Sequence, residues 1–321
     1  MNIIKRFLGR LYLLVINVRN FLYNNKILPI YKSKIPVICV GNASVGGNGK
    51  TPLVIYLVRY YQNEGKRPVV LSRGYKGKFS GPYLIGDKDT ANLVGDEPLL
   101  IKSLTKAPVV IAKKRVLGVK LIEQQNLGDI IILDDGLQHR ALARDSNYLC
   151  FDISNKDALN NILNDKILPV GRLREPLRDA LKRSDYIFLN KRGMNCDFNL
   201  EEFAEKINFD KDKIKFTNLQ IRGIFNLETK QELKEKSSVI ALSAIANPKG
   251  FYETLTNQGI LISKTIEFSD HCIFDEKIIN QIIFDNTNSI IICTEKDAVK
   301  LNDLSFDKTN FYYLAVELMI E

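Results

Sequence analysis

The sequence predicts an α/β protein with a doubly wound, mainly parallel sheet and a second, smaller α/β domain at its C-terminal end. Short apolar, β-branched runs alternate with amphipathic stretches of helical period along most of the 321 residues. The first of these runs ends in a glycine-rich turn that opens a helix. Charged motifs follow several other runs, at positions where the carboxyl ends of parallel strands would meet and bind a ligand.

The order of the elements gives the domain organisation. Apolar runs predict strands at 37–40, 68–72, 107–112, 129–133, 148–153, 186–190, 239–244, 261–268 and 289–293. Amphipathic stretches predict helices at 51–64, 96–104, 113–125, 248–258 and 276–284. Glycines and prolines predict a loop at 76–90, and a charged, polar stretch predicts a linker at 211–233. We therefore divide the chain into an N-terminal helix (1–24), a first α/β domain (25–215) and a smaller one (216–321).

The composition is typical of a globular protein with an anionic partner. Hydrophobic residues make up 45% of the chain and charged residues 26%, as in ordinary folded domains. The net charge of +9 suits a nucleotide, a phosphorylated substrate, an acidic membrane or a nucleic acid. The 5 cysteines include no C-x-x-C pair, so we expect a reducing, cytosolic compartment without disulfides and without a zinc site.

The N-terminal stretch at 3–23 is apolar but interrupted by Lys5, Arg6, Arg10 and Arg19. Its uncharged part is far shorter than the ~20 residues that a membrane-spanning helix needs, and no secretory cleavage site follows. Two interpretations remain open. The helix could lie in the plane of a membrane surface, with cationic flanks, or it could be buried against its own domain.

Residues 37–52 predict a strand, a phosphate-binding loop and the start of a helix. Glycines allow backbone N–H groups to close on phosphate oxygens, and the helix N-terminus adds its positive dipole end. Lys50 would reach the outer phosphates, and the Thr51 hydroxyl would bind Mg²⁺. The usual first glycine of this motif is replaced by Ser44, and the loop comprises Ser44, Val45, Gly46, Gly47, Asn48, Gly49, Lys50 and Thr51. The alternative is an ordinary glycine-rich turn before a helix.

An aspartate pair, Asp134 and Asp135, closes the wholly apolar strand at 129–133. P-loop enzymes hold Mg²⁺ with an aspartate in this position. Since neighbouring strand residues point to opposite faces, one carboxylate would face the metal and the other would orient it or the loop. The alternative is a hairpin turn made by Asp135 and Gly136.

Three further positions are candidates for chemistry. Asp96, at the predicted start of a helix, could cap that helix or accept the proton of an attacking hydroxyl. Arg172 and Arg174 occupy a proline-bounded loop, where they could meet solvent or hold phosphate. His139 and His271 could contact substrate or simply be hydrogen-bonded structural residues. The charged stretch at 294–297 also ends a strand, and spacing assigns it no role.

Taken together, these motifs resemble one family, the tetraacyldisaccharide 4'-kinases of lipid A synthesis. The resemblance covers nearly the whole chain, because the matching segments occur in the family's order. They are V-G-G-N-G-K-T-P at 45–52, L-S-R-G-Y at 71–75, G-D-E-P at 95–98, L-D-D-G-L-Q-H at 133–139, L-R-E-P at 173–176, A-I-A-N-P at 244–248, S-D-H at 269–271 and T-E-K-D-A-V at 294–299.

The resemblance implies an ATP-dependent kinase that uses Mg²⁺ and phosphorylates the 4'-hydroxyl of a tetraacyldisaccharide 1-phosphate, giving lipid IVA. It implies two α/β lobes with the active site in the cleft between them. It also implies that the enzyme is associated with the cytoplasmic face of the bacterial inner membrane, where its glycolipid substrate lies. We expect a monomer that binds no nucleic acid.

The same resemblance implies three groups of site residues. The catalytic group would comprise Asp96 as the base, His271 as its partner from the other lobe, and Lys50. The metal site would comprise Thr51, Asp134, Asp135 and Glu175. Contacts to the acceptor or its phosphate would come from Arg73, Tyr75, Gln138, His139 and Arg174.

A rival interpretation is a P-loop GTPase or metallochaperone-type nucleotide switch, which can have the same loop and sheet. The segment L-N-K-R-G at 189–193 is partly similar to the guanine-reading motif Asn-Lys-x-Asp, but Gly193 stands where that motif has its carboxylate. A nucleic-acid-binding ATPase would be supported by net charge alone. The sequence has no basic patch interleaved with aromatic residues to favour it.

Overall fold

A computed structural model describes residues 3–154, 156–191, 198–234 and 238–321. The strands are β1 (Val37–Gly41), β2 (Pro68–Ser72), β3 (Tyr83–Leu84), β4 (Val109–Ile111), β5 (Ile130–Asp134), β6 (Ser146–Asp152), β7 (Tyr186–Asn190), β8 (Ile214–Asn226), β9 (Val239–Ser243), β10 (Ile262–Glu267), β11 (Ile290–Thr294) and β12 (Phe311–Ile320). The helices are α1 (Ile3–Asn24), α2 (Lys50–Asn63), α3 (Ala91–Val94), α4 (Asp96–Thr105), α5 (Arg115–Gln124), α6 (Lys156–Leu163), α7 (Leu177–Leu181), α8 (Leu200–Ile207), α9 (Pro248–Asn257), α10 (Glu276–Asp285) and α11 (Glu295–Asn302). A short 3₁₀ turn at Lys211–Lys213 precedes β8.

Across the described ranges the strands form one 12-stranded sheet in the order β10-β9-β11-β12-β8-β7-β6-β1-β5-β2-β4-β3. Neighbouring strands run parallel, apart from the antiparallel pairs β8–β12 and β3–β4. The strand order reverses around β1, as it does in a doubly wound sheet. The predicted fold class is confirmed.

The central strands are buried on both faces, which explains their almost continuous apolar sequence. Alternate residues of β1 enter different parts of the core. Ile38 and Val40 pack in the cluster that contains the apolar side of α2, whereas Val37 and Cys39 pack in the cluster that contains α5. Helices therefore cover both faces of the sheet, and the polar residues that follow each strand are confined to its edge.

The predicted linker at 211–233 is wrong, because residues 214–226 form the long strand β8. This strand pairs with β7 on one side and with β12 on the other, so one sheet continues from the first half of the chain into the second. Most of its residues are only partly buried, which accounts for their polar composition. The loop predicted at 76–90 also contains the short strand β3. The domain division at 24 and 215 stays a prediction.

Helix α1 lies against the rest of the protein along a narrow strip. Gly9, Ile16 and Asn20 are buried, and Tyr12 Oη donates a hydrogen bond to the Arg174 carbonyl oxygen at 2.9 Å. The apolar residues of the opposite side are exposed, and they are Ile3, Ile4, Phe7, Leu8, Leu11, Leu14, Val15, Val18 and Phe21. The alternative of a helix buried against its own domain is therefore wrong. None of the helices in the described ranges combines the length and apolar character that a membrane crossing requires.

Candidate active site

The glycine-rich loop after β1 has a conformation suited to binding an anion. Gly46 and Gly49 adopt left-handed backbone angles, with φ of 115° and 80°. Asn48 holds the loop from inside, because its Nδ2 donates to the carbonyl oxygens of Ser44 and Gly46 at 3.3 and 3.1 Å. Helix α2 begins at Lys50, and no described side chain caps its N-terminus. Its first N–H groups therefore remain free to bind phosphate.

The proline-bounded loop at 168–176 lies directly against this phosphate loop. The Val45 N–H donates to the Arg172 carbonyl oxygen at 2.8 Å, and the Arg174 N–H donates to the Ala43 carbonyl oxygen at 2.6 Å. These bonds bring the two arginines to the phosphate loop, although more than a hundred residues separate the two segments in the sequence.

A cleft of about 750 Å³ opens in front of the phosphate loop. One wall is formed by 46–52 and the first turns of α2. The facing wall is formed by 245–258 and by the start of α11, and β8 and β12 form the floor. Glu97 and Lys296 line its margin. The cleft is large enough for a nucleotide, and residues from both halves of the chain surround it.

Asp134, at the end of β5, has a carboxylate oxygen available for a cation. The residue is 3% exposed, and its Oδ2 accepts a hydrogen bond from Ser72 Oγ at 2.8 Å. Within the described chain, Oδ1 has no hydrogen-bond partner. Burial, together with the nearby charges of Glu97 and Asp135, raises the pKa of Asp134 to about 6. A bound cation would relieve this cost of ionisation.

Asp135 is already paired with cationic side chains. Its carboxylate lies 3.7 Å from Lys50 Nζ and 3.0 Å from Arg174 Nη1. Burial alone would raise the pKa of Asp135, but Lys50 and Arg174 lower it below its usual value. The backbone of Asp135 is left-handed, with φ of 48°, and β5 continues between two parallel neighbours. The alternative of a hairpin turn at this position is therefore wrong.

Glu175 is fully buried between two partners. Arg183 Nη2 lies 2.6 Å from its Oε2, and Gln138 Nε2 donates to its Oε1 at 3.1 Å. Over the residues that the structure describes, no three His, Cys, Asp or Glu side chains form a ready cluster for a metal. Mg²⁺ in nucleotide sites usually needs only one or two protein ligands besides phosphate and water. Asp134 and Thr51 fit this requirement, and metal binding by Glu175 stays a prediction.

The second cluster joins Asp96 to His271. Asp96 begins α4 and is 5% exposed, and His271 Nδ1 lies 2.8 and 2.9 Å from its two carboxylate oxygens. His271 follows β10 in a left-handed conformation, and its N–H donates to the Ala244 carbonyl oxygen at 3.3 Å. Burial would raise the pKa of Asp96, but the His271 hydrogen bond and the Lys296 charge lower it to about 2. The Tyr75 ring stands edge-on to His271, with 5.5 Å between centroids.

Lys296 is a member of this cluster that the sequence did not reveal. Its Nζ lies 3.3 Å from a Glu97 oxygen, 3.6 Å from an Asp96 oxygen and 3.8 Å from an Asp270 oxygen. It belongs to the motif at 294–299, to which spacing gave no role. Asp297 of the same motif accepts the Ala244 N–H at 3.0 Å. One feature of the sequence could have indicated a role for this motif: like the other charged motifs, it follows an apolar run that predicts a strand.

The remaining acceptor-side candidates follow β2 and β5. Arg73 follows β2 and is exposed. Burial, followed by the charges of Arg115 and Arg144, lowers the pKa of His139 to about 4, so its ring is neutral at pH 7. Gln138 donates to the Asn42 carbonyl oxygen at 2.9 Å and thereby links the aspartate pair to β1. Contact of these residues with an acceptor stays a prediction.

Comparison with known proteins agrees with this geometry. The family model LpxK, tetraacyldisaccharide-1-P 4'-kinase, matches residues 1–321. The chain belongs to this family. Among its curated relatives, the tetraacyldisaccharide 4'-kinase of Psychromonas ingrahamii is 38% identical over 311 residues, which cover 96% of this chain and 88% of that protein. The enzyme of the same name from Idiomarina loihiensis is 35% identical over 314 residues, which cover 97% of this chain and 87% of that protein.

A solved structure gives the same result. The crystal structure of LpxK from Aquifex aeolicus in complex with ATP superposes with a TM-score of 0.77 at 32% identity, and the match covers 98% of this chain and 93% of that one. The predictions of this family, of a P-loop kinase fold and of ATP with Mg²⁺ are confirmed. The rival nucleotide-switch interpretation is not favoured, and residues 192–193 of its motif lie outside the described residues.

Proposed function

We propose that the protein transfers the γ-phosphoryl group of ATP to the 4'-hydroxyl of a tetraacyldisaccharide 1-phosphate, giving lipid IVA. One structural observation supports the proposal independently of family membership. The buried Asp96–His271 pair, with Glu97 and Lys296 beside it, adjoins the cleft that contains the phosphate loop. A candidate base therefore lies beside the cleft that contains a candidate phosphate site, as phosphoryl transfer to a hydroxyl requires.

The residues at 44–51 would hold the phosphates of ATP. Backbone N–H groups of the loop and of the first turn of α2 supply the donors, and Lys50 supplies a positive charge. Asp135 lies 3.7 Å from Lys50 Nζ and steadies this side chain from the body of the protein. Arg174 lies 3.0 Å from the same carboxylate oxygen and adds a second positive charge beside Lys50.

Thr51 and the free oxygen of Asp134 would hold Mg²⁺, with Asp135 and Glu175 as further acids close by. When bound, Mg²⁺ offsets negative charge on the phosphate oxygens. Asp134 is suited to this task, because Ser72 fixes one carboxylate oxygen and leaves the other unpaired among the described groups.

Asp96 would accept the proton of the attacking 4'-hydroxyl. The new bond joins the sugar oxygen to the γ-phosphorus, the bond from that phosphorus to the β,γ-bridging oxygen breaks, ADP leaves, and the proton goes to the Asp96 carboxylate. His271 orients this carboxylate, and Lys296 and His271 keep it ionised. The transition state of phosphoryl transfer is loose, so a positioned base of low pKa can take the proton late.

The acceptor would be held in front of Asp96. Tyr75 is exposed beside His271 and can pack on a sugar ring. Arg73, Gln138, His139 and Arg174 are proposed to contact the polar part of the disaccharide. The first domain (25–215) and the smaller domain (216–321) would close over the substrates and exclude water from the γ-phosphate.

The exposed apolar side of α1 would bind the membrane that carries the acceptor. Lys5, Arg6 and Arg10 accompany this side, and a cationic amphipathic helix binds anionic lipid surfaces. We propose a monomer on the cytoplasmic face of the bacterial inner membrane, with no nucleic-acid partner.

The membrane proposal can be tested with vesicles of phosphatidylethanolamine and phosphatidylglycerol. We expect Leu11→Gln/Leu14→Gln to shift the protein from the vesicle pellet to the supernatant, as deletion of 1–24 would. A matched control is Leu261→Gln/Phe284→Gln, which removes two apolar side chains that are also exposed but lie in the second half of the chain. Equal partitioning of the α1 variant and the wild type would contradict the proposal.

The activity can be tested by incubating the purified protein with Mg·ATP and a detergent-dispersed disaccharide 1-phosphate. We expect ADP release that depends on the acceptor, and a new phosphate at the 4' position. Transfer at another hydroxyl, or nucleotide hydrolysis that is independent of the acceptor, would overturn the proposal.

A further inference from the structure

Asn190 ends β7 beside the phosphate loop and has no role in the steps above. It lines the cleft and is 1% exposed. Its side chain packs directly against Gly49, so closely that a Cβ on Gly49 would clash with the Asn190 carboxamide nitrogen. The carboxamide therefore lies next to the N-terminus of α2, where the phosphate loop ends.

The Asn190 carboxamide is buried without a partner in the described chain, at both Nδ2 and Oδ1. The backbone around it is fixed. The Asn190 carbonyl oxygen accepts the Ile153 N–H at 3.0 Å, and the Lys191 N–H donates to the Thr217 carbonyl oxygen at 3.0 Å. Buried polar groups are nearly always hydrogen-bonded. A rigid strand end that carries one unpaired donor and one unpaired acceptor, on a residue that lines the cleft, is therefore suited to a ligand with the opposite pair.

The surroundings of Asn190 fit a flat aromatic ring. Beyond its strand, the cleft is lined by the apolar side chains of Leu219, Ile221 and Leu318. The neighbouring Lys191 is turned away, because its Nζ lies 2.7 Å from Glu321 Oε2 and 4.0 Å from the centre of the Phe216 ring. The carboxamide is therefore the polar group that this end of β7 offers to the cleft.

We propose that Asn190 reads the adenine edge of ATP. Nδ2 would donate to N7, and Oδ1 would accept from the 6-amino group, as an asparagine pairs with adenine in nucleic-acid complexes. Guanine presents acceptors at both N7 and O6, so Oδ1 would face another acceptor. Asn190 would thus select ATP over GTP. This inference rests on the proposed use of ATP, and it adds the residue that recognises the base.

The test measures nucleotide binding to the full chain by calorimetry, with Mg²⁺ and without acceptor. The probes are ATP, GTP, 7-deaza-ATP, which lacks N7, and purine riboside triphosphate, which lacks the 6-amino group. We expect GTP to bind roughly 5- to 150-fold more weakly than ATP, and both analogues to bind more weakly than ATP. Equal binding of ATP and the two analogues to the wild type would overturn the proposal without any variant.

Asn190→Leu removes both polar atoms, and we expect it to bind ATP, GTP and the analogues with similar affinity. The matched control is Asn147→Leu on the adjacent strand β6, because Asn147 also carries an unpartnered buried oxygen but does not line the cleft. It should retain the full preference for ATP. If Asn190→Leu retains that preference too, the carboxamide serves a phosphate, the ribose or the fold, and the proposal is wrong. Since no acceptor is present, failure of the proposed transfer reaction would leave this result intact.

Discussion

His271 Nδ1 lies 2.8 Å from Oδ2 of Asp96 and 2.9 Å from Oδ1, although 175 positions separate the two residues in the sequence. Asp96 begins α4, next to the first part of the sheet, and His271 follows β10 at its far edge. The pair therefore forms only when both halves of the chain are folded and in contact. Their hydrogen bond fixes the direction of a carboxylate whose pKa is about 2.

The first prediction concerns this carboxylate. Asp96→Asn keeps the shape of the side chain and removes its ability to accept a proton. We expect turnover to fall by about 10²- to 10⁴-fold, the usual contribution of a general base, while ATP binding is retained. Acceptor phosphorylation and calorimetric titration with ATP measure the two quantities.

Asp87→Asn is the matched control for Asp96→Asn. The Asp87 side chain is 95% exposed and pairs only with surface Lys102 among the contacts described. Its substitution makes the same change in charge without touching the cleft, so turnover should not change. Near-normal turnover of Asp96→Asn would remove this residue from the mechanism.

The sequence predicted elements well where burial is continuous. The strands at 68–72 and 186–190 have the predicted bounds, because an unbroken apolar run has no other stable place in a doubly wound sheet. The strand at 214–226 was missed because it is only partly buried, and its polar residues are those of an exposed segment. Its assignment depends on pairing with β12, almost a hundred residues later.

The residues of the candidate site also fall into two groups: those that belong to local sequence patterns, and those whose contacts join distant positions in the sequence. Lys50, Thr51 and Asp134 could be proposed from the sequence because a phosphate loop and a strand-end aspartate are local patterns. Lys296 could not be found from spacing, since its contact with Glu97 joins residues 199 positions apart. The pairing of Glu175 with Arg183 was also missed, because a buried ion pair has no sequence period.

The second prediction concerns Lys296. Lys296→Met removes a positive charge 3.6 Å from Asp96, so we expect the pKa of Asp96 to rise by about one unit or more. Because the base must be ionised, the acid limb of the kcat–pH profile, measured at saturating Mg·ATP so that Asp134 stays ionised, should move to higher pH, and turnover should fall. Lys296→Arg keeps the charge and should move the limb less. A variant with lower turnover and an unshifted acid limb would indicate a purely structural role.

The third prediction concerns the pH dependence of the metal-free protein. The pKa of Asp134 is about 6, above its usual value of 3.8, so the folded state binds this proton more tightly than the unfolded state. The resulting stability is fully present below pH 4 and is lost as pH rises through about 6, with a total of about 3 kcal/mol. Because His139, with a pKa of about 4, and Glu295, with a pKa of about 7, also titrate in this range, the loss should appear in denaturant unfolding at pH 4 to 7 as a difference between the wild type and a variant without the Asp134 carboxyl group.

Asp134→Asn is the variant that isolates this pH dependence, because it removes the titrating group and leaves His139 and Glu295 unchanged. The stability of the wild type relative to Asp134→Asn should therefore fall by about 3 kcal/mol as pH rises from 4 to 7. The low pKa of Asp96 acts below pH 4 and does not overlap this window. Since a bound cation requires the ionised carboxylate, affinity for Mg·nucleotide should also fall below pH 6. A wild type and an Asp134→Asn variant with parallel stability profiles would contradict the prediction.

The fourth prediction separates a structural role of Glu175 from a role in metal binding. The Glu175 side chain is 0% exposed, and Arg183 neutralises it at 2.6 Å. Arg183→Met leaves a buried charge without its partner, so we expect the free energy of unfolding to fall by about 3 to 5 kcal/mol. The surface control Arg67→Met breaks the exposed pair with Asp129 and should cost at most about 1 kcal/mol.

The double variant Arg183→Met/Glu175→Gln removes both charges and should recover most of that stability, because no buried charge remains unpaired. It therefore allows the metal role to be measured in a folded protein. If the Glu175 carboxylate binds Mg²⁺, this variant should need a higher Mg²⁺ concentration for half-maximal activity than the wild type. An unchanged Mg²⁺ requirement would assign Glu175 to the fold alone, and Thr51 and Asp134 would then be sufficient protein ligands for the metal.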